Sequence, residues 1–130
     1  MRSQFSLFLW ALLAWHSAFA TEECAKASSH VEQRHCLAAL AQKAETEVKD
    51  SQAQVLKRIE NWDEDKDYKQ ESRKRLRESV ARFKAFKRSQ CELEASSAAG
   101  GNGAGDLRLD CQIRLDRAYA AELQRRWGMF

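Results

Sequence analysis

The stretch LAALAQKAETEVKDSQAQVLKRIENW, residues 37–62, decides the fold. Leu37, Leu40, Ala41, Ala44, Val48, Val55, Ile59 and Trp62 recur in it at spacings of three, four and seven, the repeat that gathers side chains on one face of an α-helix. A second series of the same period follows, made of Leu76, Val80, Phe83, Phe86, Gln90 and Leu93. A third, made of Leu107, Cys111, Leu115, Tyr119, Leu123 and Trp127, runs toward the C-terminus. Together they predict helices over roughly 31–61 and 65–95, and a shorter one beyond 106.

Proline is absent from the 130 residues and glycine from 21–99, so nothing in the chain interrupts the two long helices. Between them lies Asn61-Trp62-Asp63-Glu64-Asp65, where Asn61 suits a left-handed helix end and the acids suit the start of the next helix. A connection this short implies antiparallel packing. Residues 96–106, Ser-Ser-Ala-Ala-Gly-Gly-Asn-Gly-Ala-Gly-Asp, read as a flexible connection with Asp106 as N-cap of the last helix. A phosphate-binding loop needs a preceding strand, and here a helix precedes the glycines. The expected fold class is all-α: a long antiparallel helical hairpin plus a shorter third helix, stapled by two disulfides.

The staples are Cys24, Cys36, Cys91 and Cys111. Four cysteines allow three pairings, and the sequence alone leaves all three open. Local geometry favours one. Cys91 lies as far before the glycine-rich connection as Cys111 lies after it, so antiparallel helices bring the two level, while Cys24 folds back onto Cys36.

Paired cysteines need an oxidising compartment, and the N-terminus supplies a route to one. Residues 1–20 open with Arg2, continue as an apolar run from Phe5 to Trp15 and end Ala18-Phe19-Ala20, the small-x-small pattern of a signal-peptide cleavage site. The apolar run is short for a membrane span, and Cys24 follows Thr21-Glu22-Glu23 rather than the small residues of a lipoprotein signal. The expected product is a single helical domain over 21–130, periplasmic or secreted, with no stable membrane span. The full chain has a formal net charge of +3, which falls to about +2 once Arg2 leaves with the signal, and that is too small to imply a polyanion partner by itself.

The order Cys24-x11-Cys36-Leu37, a long helix, Phe83-x2-Phe86-Lys87-x3-Cys91, a glycine-containing loop, and Cys111-x3-Leu115 followed by Glu122-Leu123 resembles the LprI-like lysozyme-inhibitor family across nearly the whole exported chain. The resemblance implies a small helical exported bacterial protein that binds and blocks a lysozyme, protecting the cell wall. Where the family commonly carries Trp, Tyr and Arg before the third cysteine, this chain has Phe83, Phe86 and Lys87. The usual acid next along is Arg88, and an Arg of the last helix is Tyr119. By that comparison, any internal salt bridge built from the family's Arg and acid is missing here.

Enzyme chemistry finds no foothold. Oxidised cysteines supply no thiolate, His30 and His35 are five apart rather than four, and no catalytic, cofactor or metal motif occurs. What remains are contact candidates. Asn102 and Asp106 belong to the glycine loop, which loses less entropy on docking if it is held between bridged cysteines. Lys87 and Arg88 flank it. Arg73, Arg77, Lys84 and Arg88 recur at spacings of four and seven as a basic stripe that suits either solvent or an anionic envelope surface. Phe83 and Phe86 share the apolar stripe with Leu76 and Val80 and are expected to pack in the core. Nucleic acid is not an expected partner.

Overall fold

In the computed structural model the described residues are 20–128, so the expected export signal lies outside them apart from Ala20, as does Phe130. The chain runs through a one-turn helix α1 (Ala20–Glu23) and three long ones, α2 (His30–Asn61), α3 (Lys66–Ser96) and α4 (Ala104–Trp127). At ~1.5 Å rise per residue, the 32 residues of α2 span ~48 Å.

The start of α2 has a local cause. Ser29 caps α2 by accepting from the Glu32 amide at 3.2 Å, and the Glu32 carboxylate reaches back to the Ser28 amide at 2.8 Å. This is a capping-box arrangement shifted by one residue. At the other end Asn61 stays helical and the chain leaves through Trp62 in extended conformation, so the expected left-handed Asn61 does not occur. Asp65 occupies the N-cap of α3 without a side-chain cap hydrogen bond.

Both disulfides join as the spacing suggested. Cys24 bridges to Cys36 with Cα atoms 5.8 Å apart, and Cys91 to Cys111 with Cα atoms 5.4 Å apart. The first ties α1 and the segment after it onto α2. The second locks the end of α3 to the beginning of α4. Arg117 of α4 also pairs with Glu23, fixing α1 from a second side.

The hairpin is opened by the third helix. Although α2 and α3 are consecutive and share a short turn, they touch each other little. α4 packs extensively against α2 and then α3, and so forms the middle of the bundle. The core is correspondingly divided. Near the disulfides, Cys24, Leu37, Ala44 and Ile113 cluster with Leu40, Ala41 and Leu109 around them. Toward the turn, Val55, Ile59, Leu76 and Leu123 cluster with Leu56, Val80, Tyr119 and Trp127. Trp62 meets Trp127 edge to face at 5.8 Å there, which fastens the turn to the end of α4.

Several apolar positions do not reach this core. Phe83 stacks on Tyr119 with ring centroids 3.9 Å apart, whereas Phe86 is 52% exposed and Leu93 66% exposed. Tyr68 and Leu107 are exposed too. The strip of α3 that α4 covers is narrower than the apolar stripe, because α3 has only one substantial neighbour.

Candidate functional site

Two surfaces gather the candidate residues: the connection between α3 and α4, and the cleft between α2 and α3.

The connection is a succession of tight turns rather than the flexible linker expected from its composition. Ser97, Ala98 and Ala99 amides bond back three residues to Glu94, Ala95 and Ser96, and Gly101 bonds to the Ala98 carbonyl at 2.8 Å. The chain reverses at Ala99 and Gly100, the positive-φ residues among those described, with φ of 48° and 80°. From Gly101 the turns run directly into α4, with Gly103 at its N-cap. Asp106 therefore sits inside the first helical turn and does not cap it.

Its carboxylate has another task. Arg34 of α2 donates through Nε to Asp106 Oδ1 at 3.0 Å and through Nη2 to the Asn102 carbonyl at 2.9 Å, while His30 Nε2 lies 2.7 Å from Asp106 Oδ2. Burial pulls the Asp106 carboxyl upward, but the hydrogen bonds from Arg34 and His30 outweigh it and hold the group below its ordinary range. The loop is thus pinned from α2 as well as clamped by Cys91–Cys111. Residues 99–103 remain exposed at its tip, with Asn102 as the one polar side chain among glycines and alanine. Arg34 and His30 were not among the sequence candidates. Nothing local in the chain links them to an acid more than seventy residues away.

The acids near the loop are engaged. Glu92 takes a two-pronged contact from Arg108 at 2.6 and 2.9 Å, and Glu94 pairs with Arg114 at 2.6 Å. Each carboxyl is held below its usual range, Glu92 chiefly by the Arg108 hydrogen bonds and Glu94 chiefly by that of Gln90. These pairs neutralise the loop's surroundings.

The second surface is a cleft of about 520 Å³ floored by Gln112 and Asp116 of α4. Gln42, Glu45, Lys49 and Gln52 of α2 wall one side; Phe83, Lys84, Lys87 and Arg88 of α3 wall the other. Lys87 was expected to be available for contact. It turns inward instead, with Nζ 2.7 and 2.9 Å from the two oxygens of Asp116, a residue 2% exposed. An internal salt bridge is therefore present, made by a lysine to an acid of the last helix. Burial raises the Asp116 carboxyl above its normal range against the opposing pull of Lys87.

The basic stripe is divided by its surroundings. Lys84 and Arg88 line the polar cleft, Arg77 and Lys84 line an adjoining apolar groove, and Arg73 lines neither. Arg75 pairs within α3 to Glu71 and Glu78, at 2.7 and 3.4 Å. Among the described residues no group of three or more His, Cys, Asp or Glu is placed to hold a metal ion, and no helix is long and apolar enough to cross a membrane.

These features define a small all-helical domain, clamped by two disulfides, that presents a preorganised loop beside a charged cleft. Residues 21–123 match the family model described as lysozyme inhibitor LprI, and the chain belongs to that family. No curated protein and no solved structure matches it.

Proposed function

We propose that this protein is a non-enzymatic, exported inhibitor that docks the 97–103 loop into the substrate cleft of a lysozyme and so protects the bacterial wall in the periplasm or outside the cell. The family assignment supports the class of target. The observation that favours this surface is the double restraint on the loop: Cys91–Cys111 closes its base, and Arg34 holds the Asn102 carbonyl and Asp106 together. A loop already ordered before docking forfeits little conformational entropy on binding.

Its tip is also slender. Small residues let the backbone approach a concave surface closely, and Asn102 carries an amide able to hydrogen-bond the carboxyl groups that glycoside hydrolases use. Electrostatic steering contributes little, since the acids beside the loop are already paired. Affinity in this reading comes from fit.

The test is to titrate the oxidised exported chain into lysozymes of several classes while following lysis of cell walls, alongside Asn102→Trp, which broadens the tip without touching the core. Inhibition that the variant lacks supports the loop. Absence of inhibition at stoichiometric excess removes the reading for those enzymes.

A second reading, attachment to an anionic envelope surface, draws on Arg77, Lys84 and Arg88. All three are exposed on α3 with no ion-pair partner within 4 Å among the described residues. Charge reversal at Arg73, Arg77, Lys84 and Arg88 tests it: envelope association that is unchanged rules it out.

A further inference from the structure

The splaying of α2 from α3 leaves more than a polar cleft. Directly beside it is a second groove of about 270 Å³, walled by Leu56 of α2 and by Leu76, Val80 and Ala81 of α3. Its polar lining is confined to Gln52, Arg77 and Lys84, and Gln52 and Lys84 also line the larger cleft. The two grooves therefore adjoin, an apolar half beside a half of mixed charge, and Gln52 and Lys84 stand at the boundary.

We infer that this surface binds a single fatty acid, with its alkyl chain over Leu56, Leu76, Val80 and Ala81 and its carboxylate at the boundary between Lys84 and Gln52. The inference goes beyond both readings above, since it needs neither a lysozyme nor an extended anionic surface.

Charge complementarity selects the ligand. Most other charges of the cleft are satisfied internally, Lys87 by Asp116, Lys49 by Glu45 at 3.0 Å, and Glu92 by Arg108, while Arg88, like Lys84, has no ion-pair partner within 4 Å among the described residues. The field of Lys84 nonetheless reaches Glu45 and adds to the stronger effect of Lys49 in lowering that carboxyl. A carboxylate arriving at Lys84 meets a cation whose charge no hydrogen bond has yet used. Arg77 and Arg88 on either side add to the attraction.

The apolar half selects for a chain. Leu56 and Val80 are only partly covered by the core they belong to, and Ala81 is exposed, so the groove offers a continuous strip of aliphatic carbon to solvent. Covering it stabilises a bound alkyl chain by about 0.8 kcal/mol per buried methylene. An anion without a chain gains nothing from that half, and an uncharged amphiphile gains nothing from the other.

The test is calorimetric titration of palmitate, kept below its aggregation concentration, into the oxidised protein. Lys84→Glu and Ala81→Glu are run beside it, both on exposed positions and both checked for unchanged helical circular dichroism. Saturable one-to-one binding that each variant weakens by about tenfold or more supports the inference. It is overturned if palmitate does not bind, if a nonionic detergent monomer binds equally well, if acetate or phosphate competes as strongly as palmitate, or if the protein associates with phosphatidylglycerol vesicles but not with monomeric palmitate.

Discussion

Lys87 of α3 places its ammonium between both carboxylate oxygens of Asp116, near the middle of α4, at 2.7 and 2.9 Å. The pair lies where the two apolar clusters of the core part company, and it joins α3 to α4 at a level the clusters leave open. Asp116 is almost wholly buried, so its charge cannot turn to bulk water if Lys87 is removed.

Lys87→Met should therefore destabilise the fold by about 3 kcal/mol, because it strands a buried carboxylate, while Lys87→Met combined with Asp116→Leu should recover most of the loss. The raised Asp116 carboxyl sets the sign with pH. A folded pKa above the unfolded one favours the protonated native state, so its contribution is full below the unfolded value and is lost as pH rises through the folded one. The deficit of Lys87→Met relative to the parent should thus be smaller in mild acid than at neutral pH, as urea denaturation at the two pH values would measure.

Asp106 has the opposite sign. Hydrogen bonds from Arg34 and His30 depress its carboxyl despite burial, so its contribution is present above the unfolded value and disappears as pH falls through the folded one. Asp106→Asn should be less stable than the parent at neutral pH and lose less on acidification. Melting curves recorded from pH 7 downward should converge; curves that stay parallel would show that the carboxylate does not anchor the loop.

Gly100 turns the chain at φ +80°, with open space where a Cβ would be built. Gly100→Ala meets no clash, so its cost is the backbone conformation alone, about 1 kcal/mol. The same variant tests the loop's part in inhibition, since a relaxed turn should weaken it more than it weakens the fold.

Opening the clamp at the base of that loop with Cys91→Ser and Cys111→Ser together should cost about 3 kcal/mol. Hydrogen exchange should speed up first in the 97–103 turns, which have no side-chain core of their own. Opening Cys24–Cys36 instead should leave those amides unchanged, because that bridge lies between α1 and α2.

The length and position of the three long helices were legible in the chain, and the spacing of the cysteines favoured the observed pairing among the three it left open. Both depend on short-range quantities: a period of 3.6, an uninterrupted backbone, and equal distances either side of a turn. Periodicity identifies an inward face, but not the helix that face will meet. Only the tertiary structure decided that α4 would lie between α2 and α3 instead of beside a closed hairpin. That placement left Phe86 and Leu93 in solvent, turned Lys87 inward to Asp116, and opened the cleft and groove beside Lys84. It also brought Arg34 to Asp106 and made a glycine-rich linker into a held loop. Those contacts join residues far apart in sequence, and their geometry follows from helix packing, which the local pattern of residue types does not specify.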